Sequence, residues 1–234
     1  MTPSRETPAF WSFEDLALFL GAILPAWMVG MLVVRFGRAL APVAFSNNAV
    51  RALAFQSAIY ALLVGALHMV VAFRYRRPFW QSLGWVAPER GKWWCIFGGP
   101  ALAIGLSVLG VALRTPVIPT PVESLISGRG SLLLVAFFAV VLGPVFEELL
   151  FRGFLQPLLE RALGAWPAIL LAATGFALLH GQEYQGFWQQ LLVVGLAGAA
   201  FGYARYKTGS TAAAALLHGG YNLTFFVGYL IQTR

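Results

Sequence analysis

The sequence predicts an all-α fold: a polytopic membrane helical bundle of about seven to eight transmembrane helices, read as a single domain over residues 1–234. Three observations carry this reading. The 234 residues are 59% hydrophobic and 11% charged, against about 25% charged in an ordinary soluble domain. Their mean hydropathy is +0.74. The apolar residues gather in runs close to the ~20 that a helix needs to cross about 30 Å of hydrocarbon. The net charge of +7 forms no single patch, because the basic residues stand singly or in small groups between apolar runs, as loop charges do. Membrane lipid is therefore the expected surrounding partner, and nucleic acid is not one. The single cysteine, Cys95, excludes an intramolecular disulfide framework and lies in an apolar run, where it is read as inert.

Residues 1–13 hold Arg5 and Glu6 and lack the small-residue cleavage site of a signal peptide, so the first apolar run is read as a retained helix. That run, Leu16 to Val34, follows Glu14 and Asp15, contains Pro25 and closes on Arg35 and Arg38. The second, Ala52 to Phe73, ends on Arg74, Arg76 and Arg77, with His68 read as a buried or interfacial histidine. The connection to Lys92 carries Pro78, Trp80, Trp85 and Pro88, the composition of an interfacial loop. Its basic residues place it, and with it the N-terminus, on the cytoplasmic side.

The third run, Trp93 to Leu113, has Trp93 and Trp94 as interface anchors and Gly98, Gly99 and Pro100 loosening its first turns. Pro116, Pro119 and Pro121 then make Arg114 to Arg129 partly non-helical, with room for an eighth, short helix. The fourth run extends from Ser131 to about Leu163. The fifth covers Gly164 to His180 and starts at Trp166-Pro167, since proline is accepted in a first turn. The sixth is Phe187 to Tyr203, with Gly198 and Gly202 at the spacing that lets helices approach closely. Ser210 to Ile231 is the seventh.

Ionisable groups in hydrocarbon cost about 2.5 to 3.5 kcal/mol each even on mild scales, so those found there are candidates for function. The late runs hold Glu147, Glu148, Arg152, His180, His218 and Asn222. Glu147 lies 16 residues before a turn centred at Leu163 and His180 lies 17 after it, so both reach nearly the same depth at about 1.5 Å per residue. His218 and Asn222 are four apart and share a helix face. Glu148 and Arg152 are also four apart, with the acid first, the favoured order for a helical ion pair. Glu147 points about 100° away and is left without that partner. An unpaired carboxylate in apolar surroundings suits general-base work.

Read together, these residues resemble the CAAX protease and bacteriocin-processing family of intramembrane endopeptidases. Its three signatures, Glu-Glu-x-x-x-Arg, Phe-x-x-x-His and His-x-x-x-Asn or Asp, appear in order as Glu147-Glu148 with Arg152, Phe176 with His180, and His218 with Asn222. The resemblance covers residues 131–231, where the catalytic helices are expected. It implies hydrolysis of a peptide bond in a hydrophobic or lipidated peptide substrate, in some members the CAAX box of prenylated proteins. It further implies that Glu147 activates water and His180 holds it, while His218 and Asn222 steady the oxyanion. Glu148 and Arg152 would fix the geometry.

Two chemistries stay open at this point. Glu147, His180 and His218 match a catalytic zinc set with an open water position, and two histidines converging on a carboxylate favour this metalloprotease reading. The same residues also suit a metal-free glutamate peptidase, and no His-Glu-x-x-His motif decides between them. A different class, a proton-coupled transporter or a non-enzymatic immunity or scaffold protein, would use a similar buried cluster. Transporters of that kind show paired broken helices in two related halves, which this sequence lacks.

Overall fold

The computed structural model describes residues 9–88, 92–118 and 121–232. The readings placed on Arg5, Glu6, Arg90 and Pro119 lie outside them. Among the described residues there is no strand. Seven main helices follow the apolar runs: α1 Phe13–Leu40, α2 Asn48–Arg74, α3 Lys92–Ala112, α4 Arg129–Leu163, α5 Ala165–Leu179, α6 Trp188–Thr208 and α7 Thr211–Gln232. Five of them, α1, α2, α3, α4 and α7, are long and apolar enough to cross a membrane, and α5 is a shorter apolar helix. Helix α6 has the length but begins with Gln189 and Gln190 and ends with Arg205 and Lys207, which lowers its hydropathy. The room left for an eighth helix is taken by one turn, Pro121–Ser124.

The chain groups into two compact units. One holds α1, α2 and the first turns of α4. Here Ser12 opens α1, its backbone N–H donating to Asp15 Oδ2 at 2.8 Å, an arrangement that satisfies a free donor at the helix start. Asp15 is fully buried and is held from the end of α2 by Arg74, whose Nη1 lies 3.3 Å from Oδ1. Tyr75 adds a hydroxyl bond to Oδ2 at 2.5 Å. Helix α1 is interrupted at Ala22. Pro25, three residues later, has no N–H to offer the carbonyl of Gly21. His68 is exposed beside the ring of Phe79 at 5.0 Å.

The other unit holds α3, the rest of α4, and α5 to α7. Its innermost residues include Ala197, Phe201, Ala214 and Leu217, from α6 and α7. Gly98 and Gly99 do not loosen α3, which is helical through both. A Cβ on Gly99 would stand 2.6 Å from the carbonyl oxygen of Leu217, so the glycine lets α3 and α7 meet backbone to backbone. The start of α7 is fixed in register by the loop before α3. Thr211 Oγ1 donates to Leu83 O at 2.6 Å, Thr211 N to Gly84 O at 2.8 Å, and Ser210 Oγ to Val86 O. That register sets the depth at which His218 stands.

Candidate active site

The turn that bears both glutamates, Gly143–Glu148, lies between two π-helical stretches of α4, Phe138–Leu142 and Leu149–Leu155. Pro144 is the local cause of the first, because it lacks an N–H and the carbonyls one turn earlier lose their helical donor. Those carbonyls turn to α7. Asn222 Nδ2 donates to Ala139 O at 2.8 Å. A Cβ on Gly219 would lie 2.7 Å from Val140 O, so only glycine lets α7 close onto this part of α4. Widened turns of this kind re-aim side chains and recur at functional sites.

Arg152 is fully buried and joins α4 to α6. Its Nη1 donates to Glu148 Oε1 at 3.1 Å, its Nε stands 3.1 Å from Glu148 Oε2, and its Nη2 donates to the carbonyl of Gly198 at 2.7 Å. One turn further along α4 the contact repeats, with Gln156 Nε2 donating to the carbonyl of Gly202 at 3.0 Å. A Cβ at 198 would come within 3.1 Å of Arg152 Nη2, and one at 202 within 2.8 Å of Gln156 Oε1. The two small residues therefore serve more than close helix contact: they let polar side chains of α4 reach carbonyls of α6. The guanidinium also lies over the rings of Phe176, Phe151 and Phe201, at 4.9, 5.6 and 5.6 Å, contacts worth up to about 2 kcal/mol when desolvated.

Glu148 has a second partner. Its Oε1 lies 2.9 Å from Nδ1 of His218. A carboxylate can only accept, so Nδ1 carries the proton and Nε2 is the nitrogen presented to the site. Glu147 Oε2 stands 3.9 Å from that Nε2. The His218 ring stacks on Phe201 at 4.4 Å and meets Phe176 edge-on at 5.8 Å. His180, at the end of α5, donates from Nδ1 to the carbonyl of Phe176 at 2.8 Å, which leaves Nε2 as an acceptor. Its ring lies 4.5 Å from that of Phe176. The phenylalanine of the Phe-x-x-x-His signature thus touches His180, His218 and Arg152 together. Glu147 is 20% exposed where Glu148 is 0%, so of the two glutamates Glu147 is the accessible one.

The geometry adds detail to the expected site. Glu148 braces Arg152 as its spacing predicts, and in addition it orients His218. Glu147 is not left alone, since it faces His218. Asn222 has one amide N–H committed to Ala139 O, which leaves the other N–H for a ligand. Among the described residues no group of three His, Cys, Asp or Glu side chains is placed to hold a metal ion. The steps below are therefore written for the chain's own residues.

Sequence reasoning missed Gln156 and Phe201. Gln156 stands four residues after Arg152, so it continued a visible pattern. Phe201 gave no signal, because an aromatic residue in a helix reads first as packing.

Fold and site together define a polytopic helical membrane protein with an acid–base cluster built between its late helices. Residues 129–224 match the family model described as Type II CAAX prenyl endopeptidase Rce1-like. The matched stretch runs from the start of α4 into α7 and contains all three signatures, which bears out the resemblance to CAAX proteases and supports an intramembrane endopeptidase in general. No curated protein and no solved structure gives a significant match.

Proposed function

We propose that this chain hydrolyses a peptide bond in a membrane-associated CAAX-type substrate, hydrophobic or lipidated, with Glu147 activating the water. The observation that supports this most is the division of labour between adjacent glutamates: Glu148 is buried and committed to Arg152 and His218, while Glu147 is partly exposed and faces Nε2 of His218.

In this reading Glu147 removes a proton from a water held by Nε2 of His180, and the water oxygen attacks the scissile carbonyl. General-base catalysis of this kind supplies typically about 10²- to 10⁴-fold. When its Nε2 also carries a proton, His218 donates it to the oxyanion, with the remaining N–H of Asn222 beside it. Removing one such donor costs about 3 to 4 kcal/mol of barrier. The two donors come from one face of α7, whose register the loop around Leu83 and Gly84 sets.

The test is cleavage of a farnesylated CAAX peptide by the purified protein in proteoliposomes, with products identified by mass. The wild type is expected to release the C-terminal fragment and the Glu147→Ala variant to release none. No cleavage by the wild type, with proton-coupled uptake in the same vesicles, would replace this reading with a transporter.

A further inference from the structure

Glu148 holds His218 by one hydrogen bond, from Nδ1 at 2.9 Å. Such a bond is directional, yet it leaves rotation about its own axis free, so the imidazole could turn on it and carry Nε2 away from Glu147. The plane of the ring is set from α6. Phe201 lies against the imidazole with ring centroids 4.4 Å apart and planes only 18° from parallel. From α5, Phe176 meets the same ring edge-on, at 5.8 Å and 82°. Three helices thus constrain one side chain borne by a fourth, and of the two ring contacts the one with Phe201 is near-parallel.

Phe201 is itself firmly held. It is 1% exposed and packs in the core with Val193, Ala197, Ala204 and Leu217. Tyr221 of α7 meets it edge-on, at 5.8 Å and 78°. Its backbone is pinned on both sides from α4: Arg152 donates to the carbonyl of Gly198 at 2.7 Å and Gln156 to that of Gly202 at 3.0 Å. Packing and buried hydrogen bonds of this kind lock the rotamers on which a reacting group depends. The paired contacts between α4 and α6 therefore frame the aromatic residue that lies between them, and through it the fully buried Gln156 reaches the site at one remove.

We propose that Phe201 is a positioning residue for the hydrolysis: its ring face fixes the plane of His218, so that Nε2 points to the place where the oxyanion forms; this rests on the endopeptidase reading above. The role needs a flat face more than it needs bulk. Leucine would fill much of the same space but would give the imidazole no plane to lie against. A displacement of about 1 Å at a reacting group can cost about 100-fold in rate, so a small turn of the ring is enough to matter.

Four proteins test this: wild type, Phe201→Leu, Phe201→Tyr and Val193→Ala, each assayed for kcat and KM on the farnesylated CAAX peptide in proteoliposomes and for thermal unfolding on the same preparation. Val193 belongs to the same core cluster on α6, and as an aliphatic residue it offers His218 no ring, so its truncation reports what loosening the core does by itself. Phe201→Leu is expected to lose about 100-fold in kcat with KM little changed. Phe201→Tyr, which keeps the flat face, should recover most of that loss, and Phe201→Trp takes its place if the buried hydroxyl prevents folding. Val193→Ala should unfold at a lower temperature with kcat close to wild type. Wild-type kcat in Phe201→Leu, an equal kcat loss in Val193→Ala, or no recovery in a folded aromatic variant overturns the proposal while leaving the protease reading intact. Failure of the wild type to cleave overturns both.

Discussion

His218 donates its Nδ1 proton to Glu148 at 2.9 Å. That bond makes the two neighbouring glutamates unlike each other. Glu148, fully buried, is held between Arg152 and His218 and has no freedom to react. The imidazole it orients turns its other nitrogen to Glu147. A buried ion pair that loses one partner typically costs about 3 to 5 kcal/mol, because the remaining charge stays in place without compensation. The cluster is therefore a structural joint of α4, α6 and α7 as well as a site.

Gly219→Ala tests the α4–α7 junction. The added methyl would stand 2.7 Å from the carbonyl of Val140, a backbone atom that cannot swing aside. Overpacking of this kind costs roughly 1 to 3 kcal/mol. The variant is expected to unfold at lower temperature in detergent and to lose activity through displacement of His218. Wild-type stability would show that the two helices are not pressed together there.

Chelation tests the chemistry. Protein stripped with a strong chelator and shown by elemental analysis to hold no zinc is expected to cleave at the rate of untreated protein. A loss of activity restored by added zinc would return Glu147, His180 and His218 to the role of metal ligands.

The helices were legible because their apolar runs match the thickness of a bilayer, and the late signatures were legible because their residues repeat at helical spacing. Other features needed the third dimension. The i,i+4 partner of Glu148 accounted for its charge within its own helix, so nothing in the chain pointed to His218, 70 residues away. Gly98 and Gly99 read as helix-loosening residues, yet Gly99 is required by a backbone of α7 that no local pattern reveals. Gly198 and Gly202 were read correctly as sites of close approach, but what approaches is Arg152 and Gln156.

The most direct measurement compares Glu147→Gln with Glu148→Gln, reading cleavage of the farnesylated peptide and thermal unfolding on the same preparations. Glu147→Gln is expected to be inactive and to unfold with the wild type. Glu148→Gln is expected to unfold at a clearly lower temperature, with activity lost through the misplaced His218. A Glu147→Gln protein that still cleaves, or one destabilised as much as Glu148→Gln, would contradict the assignment of Glu147 as the reacting group and Glu148 as the one that positions.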